Sequence, residues 1–276
     1  MNNEDSAGPV VVGIDGSNAA IGAAQWAAKE ATHQDVPLRL VHVIQVAGES
    51  IASASAYPAE QDYAESSLRA ACLAVEAMGL PVKIETAVLL GDVDSALITE
   101  SNTATLICVG SVGIGRVASR VLGSTAATLA ERAQCPVAII RRSDYGPLPE
   151  AGFIAVVVDD RPGNNQVVQR AMEEARVRRA PVLALGIGRW SQFEVDNEKL
   201  YRHLDHWLRC YPDVEVEVAS TRLSLARYLE GRIGGVQLVV VGSNDASGLA
   251  QLVGPHGPPI LTHADCSVLV VRRQQQ

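Results

Sequence analysis

The chain has 276 residues, 47% of them apolar, which is enough for two domains with substantial cores and excludes wholesale disorder. Its formal net charge of -8, with no dense basic block, argues against nucleic acid as a main partner. No apolar run approaches membrane-spanning length, and Met1 to Pro9 is too acidic and polar for a secretory signal, so the sequence predicts a cytoplasmic protein without membrane insertion.

Val10-Val-Val-Gly-Ile-Asp15 reads as a buried parallel strand that delivers Asp15 to the carboxyl edge of a sheet. Ser17 or Asn18 then caps an Ala-rich helix running to about His33. Pro37 to Ile44 is a second strand, and Ala47 to Glu60, small and polar, is expected to be a loop. A helix follows over Glu60 to Met78, closed by Gly79 and Pro81, and Val82 to Leu90 is a third strand. Gly91-Asp92 starts a helix to about Ser101, and Leu106 to Val109 is a fourth strand. A helix over Thr125 to Ala133 and a fifth strand, Pro136 to Arg141, complete a parallel α/β pattern.

Ser143 to Gly152 carries two prolines and two glycines and reads as a linker, after which the pattern repeats. Ala155-Val-Val-Val-Asp159 parallels Val11-Val-Gly-Ile-Asp15, and Pro181 to Ile187 parallels Pro37 to Val43, both at an offset of 144. Leu238 to Ser243 parallels Leu106 to Ser111 at an offset of 132, which places a deletion between the second and fourth strands. The expected domains are therefore 1–142 and 153–276, joined by 143–152.

The chemistry concentrates after the fourth strand. Gly110 and Gly113 follow the apolar run, and Gly123-Ser124-Thr125 opens a helix. A glycine here lets backbone approach a ligand closely, and a helix start offers free amides and a favourable dipole to phosphate oxygens. The alternative for a glycine pair after a strand is a plain turn. A Walker loop is absent, since Lys29, Lys83 and Lys199 all lie elsewhere. In the second half Gly16-Ser17 becomes Asp160-Arg161, Asp245 replaces a glycine, and Pro255 replaces Ser124, so that site reads as degenerate.

The five cysteines, at 72, 108, 135, 210 and 266, form no C-x-x-C pair and are expected to be free thiols in a reducing compartment. His203, His206 and Cys210 share a helix face; a metal site there competes with an ordinary solvated face, and the latter is expected. No metal ligand is assigned.

The spacing Gly110-x-x-Gly113, nine residues, Gly123-Ser124, together with Val12 to Ser17, Leu40 to Val43 and Cys135 to Ile140, resembles the universal stress protein family. The resemblance covers nearly the whole chain, in the manner of a tandem two-domain member of actinobacterial type. It implies two doubly wound, five-stranded parallel-sheet domains, Rossmann-like in form, with ATP held at the carboxyl ends of the first domain's strands. On that resemblance Gly13 and Ile14 line the edge where Asp15 holds ribose or adenine, and the Val43 backbone meets adenine. Gly110 and Gly113 let the loop close over ribose and phosphates, which Gly123, Ser124 and Thr125 bind. Asp15 also reads as a simple helix-capping carboxylate, and Val43 as core. ATP would arrive with Mg. A homodimer and an unidentified protein partner are the expected associations.

No Ser-His-Asp set, carboxylate pair or metal cluster accompanies the glycines, so no catalytic residue is assigned and a binding function, with at most slow ATP hydrolysis, is expected. The reading is a stress-response ATP-binding regulator. The rivals are an adenylating or ATP pyrophosphatase-like enzyme, a flavin carrier, and an interaction scaffold with no nucleotide; cAMP competes with ATP as the ligand.

Overall fold

The computed structural model describes residues 7–45, 51–111, 122–141, 152–187, 189–190, 193–194, 197–230, 235–243 and 266–272. The chain divides into two compact units, Met1–Arg142 and Ser143–Gln276. The expected linker falls at this division, and its residues 143–151 lie outside the described set.

In the first unit the order is β1 (Val10–Gly13), α1 (Asn18–Gln34), β2 (Leu38–Ile44), α2 (Ile51–Glu76), β3 (Ile84–Leu90), α3 (Val93–Glu100), β4 (Leu106–Gly110), α4 (Ser124–Arg132) and β5 (Val137–Ile140). The strands lie in the order β3-β2-β1-β4-β5, all parallel. Parallel strands covered on both faces need continuous apolar runs. Val10, Val11 and Val12, Leu106 and Ile107, and Val137 to Ile139 accordingly have no measurable solvent exposure. α1 packs beside α2, and α3 beside α4, which gives the sheet a helical layer on each face. The buried stripe of α1 is almost all alanine, from Ala20 to Ala31, so this helix lies close over β1 and β4.

One expectation is corrected. The stretch expected as a loop, Ala47 to Glu60, is helical from Ile51 onward, and 46–50 lie outside the described residues. Alternating Ala and Ser give no apolar stripe, and Pro58 inside the helix removes an amide donor, so the local signals read as breakers. Alanine's high helix propensity and continuity with the rest of α2, which packs against α1, β2 and β3, prevail.

The second unit repeats the plan: β6 (Phe153–Val157), α5 (Asn164–Arg178), β7 (Val182–Ile187), a hairpin of β8 (Arg189–Trp190) and β9 (Phe193–Glu194), α6 (Asn197–Cys210), β10 (Val216–Thr221), α7 (Leu225–Glu230), β11 (Val236–Gly242) and β12 (Ser267–Val271). Its sheet runs β10-β7-β6-β11-β12, the same order by rank. The Ile14 amide donates to the Val41 carbonyl at 2.8 Å, and Val158 to Leu185 at 2.9 Å, each partner shifted by 144. α1 and α5 both end on left-handed residues, Asp35 and Arg179, again 144 apart. The shortening falls between the second and third strands, where α2 has 26 residues and α6 has 14. Among the described residues, no helix is long and apolar enough to cross a membrane.

Candidate functional site

Strand order fixes where a ligand would lie. β1 and β4 are neighbours, yet the chain leaves β1 toward β2 and β3 and returns to the other side for β4 and β5. The loops diverge there and open a crevice at the strands' carboxyl ends.

On the β1 side the turn into α1 is tightly specified. Asp15 Oδ1 accepts the Ser17 amide at 2.9 Å, and Ser17 Oγ accepts the Ala20 amide at 3.1 Å, so Ser17 is the N-cap of α1. Gly16 takes φ +87°, and a Cβ there would run into the Tyr63 hydroxyl and stand 2.8 Å from Ser67 Oγ. α2 closes over this turn, with the Tyr63 hydroxyl donating to the Asp15 carbonyl at 3.0 Å.

On the β4 side a Cβ on Gly110 would lie 2.8 Å from Ala19 Cβ and 2.9 Å from the Ala19 carbonyl carbon. The missing side chain thus lets the end of β4 meet the start of α1. The Ser111 amide donates to the Ile140 carbonyl, and the Gly123 amide to the Ser111 carbonyl, both at 2.9 Å. These bonds anchor the start of α4 beside the end of β4. Gly123 is the N-cap and has no side chain to cap the helix. The amides of Ser124, Thr125 and Ala126, in the first turn, have no intrahelical acceptor, and the helix dipole favours an anion there.

Between these walls lies a cavity of about 410 Å³, within the roughly 300–1,000 Å³ usual for small-molecule sites. Gly13, Ile14, Asp15, Val43, Gly110, Gly123, Ser124 and Thr125 all line it; Gly113 lies outside the described residues. The Asp15–Ser17 bond shows the capping role, and the same carboxylate-bearing residue faces the cavity. Val43 is half-buried in its wall rather than sealed in the core.

Sequence reasoning missed Ser17, His42, Glu60 and Tyr63, which also line the cavity. His42 lay inside an apolar strand and was assigned no role; Glu60 and Tyr63 reach the site only because α2 folds back over β2. None of the described lining residues is Lys or Arg. Burial pushes the His42 imidazole below its ordinary range, against opposing pulls from the Ile14 backbone and the Asp15 and Glu60 carboxylates. Its Nδ1 is buried and finds no hydrogen-bond partner among the described residues.

In the second unit a cavity of about 40 Å³ lies beside Asp159, lined by the start of α5 and the ends of β11 and β12. Asp159 Oδ1 accepts the Arg161 amide at 2.9 Å, as Asp15 accepts Ser17, but Arg161 Nε also reaches Oδ2 at 2.6 Å. The guanidinium thereby engages the carboxylate. The helix start is displaced as well, because Gly163, at φ +94°, is the N-cap of α5 and offers no side-chain cap.

Elsewhere, His206 Nε2 and Cys210 Sγ are 3.7 Å apart on α6, and among the described residues no group of three His, Cys, Asp or Glu is placed to hold a metal. All five cysteines are free.

The universal stress protein family model matches residues 7–141. Universal stress protein Rv2624c of Mycobacterium tuberculosis is 47% identical over 265 residues, covering 96% of each chain. Universal stress protein Rv3134c of the same organism is 41% identical over 280 residues, covering 99% of this chain and 98% of its own. A universal stress protein from Archaeoglobus fulgidus has a crystal structure that aligns over 97% of both chains with a TM-score of 0.67 at 15% identity, a likeness of fold. With such identity sustained across both units, the chain belongs to the universal stress protein family.

Proposed function

We propose that this protein is a stress-response regulator that binds ATP in the crevice of its first unit. The observation carrying this reading is that one cavity at the topological switch point is lined by every described member of the expected set, from Gly13 and Asp15 through Gly110 to Thr125. The phosphates would meet the amides and hydroxyls of Ser124 and Thr125, with Gly123 and Gly110 keeping that edge free of side chains. The nucleoside would lie toward Asp15 and the Val43 backbone. Asp15 and Glu60 add negative charge to the same wall, so Mg²⁺, held chiefly by phosphate oxygens, would moderate the repulsion.

Occupancy, rather than turnover, is the output of this reading. The described lining has no Lys or Arg to stabilise a transferring phosphoryl group, and hydrolysis would be slow. The second unit would act as a scaffold: the Arg161–Asp159 contact and the loss of the glycine spacing at Asp245 and Pro255 favour that role. A cytoplasmic homodimer that signals to a protein partner completes the reading.

The test is to denature freshly purified protein, identify any released small molecule by mass spectrometry, and titrate stripped protein with ATP, AMP and cAMP by calorimetry. One adenine nucleotide per chain, with ATP preferred, is the expected result. No released nucleotide together with no heat from any of the three would overturn it, and a yellow protein releasing flavin would replace it.

A further inference from the structure

The stripe that α2 buries runs out where the cavity begins. Ala64, Ser67, Leu68, Ala71 and Val75 are all buried, at the helical spacing of a face packed on a sheet. Tyr63 stands one turn before Ser67 on the same stripe, yet 44% of its surface is exposed and it lines the cavity. A tyrosine left open to solvent usually gives water its hydroxyl. Here the hydroxyl is already donated to the Asp15 carbonyl at 3.0 Å, so what the residue presents is its apolar ring. The ring is held at a second point, where the His42 imidazole meets it edge-on at 5.9 Å between centroids. Gly16 leaves it room, since a Cβ there would stand 3.0 Å from Tyr63 Cζ. An aromatic group fixed in this way loses little freedom when a flat ligand covers it.

Position within the sheet says which part of a ligand the ring would meet. β2 and β4 flank β1, so their ends are two interstrand spacings, roughly 10 Å, apart. The helix start suited to phosphate follows β4. Tyr63, against His42 of β2 and the Asp15 turn, stands on the opposite side. A nucleotide with its phosphates at Ser124 and Thr125 would therefore extend its base toward Tyr63. Among the described lining residues Tyr63 is the only Phe, Tyr or Trp, and the described lining of the second unit's cavity has none.

We propose that Tyr63 is a specificity-determining contact of this site, its ring packing against the nucleobase and so distinguishing a nucleotide from bare polyphosphate. The inference rests on the nucleotide reading above and deepens it. The Val43 main chain would read the edge of the base, and Tyr63 its face.

The experiment titrates ATP and inorganic tripolyphosphate into the full chain and into Tyr63→Leu and Tyr63→Phe by calorimetry, with thermal melting as the folding control. Tyr63→Leu is expected to weaken ATP about five- to tenfold and to leave tripolyphosphate unchanged. Tyr63→Phe, which keeps the ring, is expected to recover most of that loss. Unchanged ATP affinity in a folded Tyr63→Leu overturns the contact while leaving the nucleotide reading intact. Equal losses for ATP and tripolyphosphate overturn the assignment to the base. A loss in Tyr63→Phe as large as in Tyr63→Leu assigns the effect to the hydroxyl's bond with Asp15 and overturns the ring contact. A wild-type chain that binds no ATP overturns both the contact and the nucleotide reading. Should Tyr63→Leu fail to fold, ring-proton signals of the wild-type tyrosines decide: the Tyr63 signals, assigned through Tyr63→Phe, move upfield at saturating ATP, and stationary signals overturn the contact.

Discussion

An aspartate follows the first strand of each unit, and the two carboxylates keep different company. Asp15 accepts the amide of a serine that goes on to cap its helix, and beside it lies a cavity of about 410 Å³. Asp159 accepts the amide of an arginine whose guanidinium then turns back onto it, and the adjoining space is about 40 Å³. The strand order, the main-chain bond beside the aspartate and the left-handed conformation that ends the helix are shared. Strand order was therefore kept while the residues beside the two aspartates diverged.

The comparison is broken most severely at the start of α4. Gly123→Glu places bulk and negative charge where the phosphates are proposed to sit, and is expected to weaken ATP by about a hundredfold or more without unfolding the protein. Asp245→Gly, in the second unit, should leave ATP affinity unchanged. Calorimetry on both variants checks the pair, and a folded Gly123→Glu with wild-type affinity would refute the assignment.

The next effect concerns stability. Gly110→Val forces side-chain atoms toward the Ala19 backbone and should cost about 1–3 kcal/mol by chemical denaturation. A variant as stable as wild type would show that the end of β4 and the start of α1 are less closely packed than the distances imply. A smaller contrast is drawn by the residues two places after each aspartate. Ser17→Ala removes an N-cap and should destabilise by about 1 kcal/mol. Arg161→Ala removes an exposed ion pair within one turn and should cost roughly 0–1 kcal/mol. Reversal of that order in denaturation midpoints would contradict the capping role.

The smallest effect is a pH dependence. Burial holds the His42 imidazole below its ordinary range, so the unfolded chain takes up a proton more readily than the folded one. That contribution is complete above the ordinary histidine value, about 6.5, and is lost as pH falls toward the depressed folded value. Denaturation at pH 7.5 and 5.5 should show stability falling with pH, and less steeply in His42→Phe. An unchanged slope in that variant would assign the effect to other groups. Gly186 supplies no counterpart in the second unit.

Most of the fold was legible because buried parallel strands are written as unbroken apolar runs, as at Val10 to Val12 and Leu106 to Val109. The repeat was legible through matching strand runs at offsets of 144 and then 132. The front of α2 was not, since an Ala/Ser stretch containing Pro58 carries loop signals, and its helix shows only as the leading part of the continuous Ile51–Glu76 element. The glycines and Asp15 could be found because their spacing is local. His42, Glu60 and Tyr63 could not, because what brings them to the crevice is the placement of β2 beside β1 and the return of α2 across it.

The contact between Gly110 and Ala19 carries a consequence for how such patterns are counted. A glycine demanded by a neighbouring helix would survive even if no ligand ever visited, and Gly242 occupies the same rank in a unit where Asp245 and Pro255 break the motif. Strand-end glycine is then a marker of descent and assembly. To separate occupied from vacant copies across such duplicated chains, the informative letters are those farther along the loop and at the mouth of the next helix.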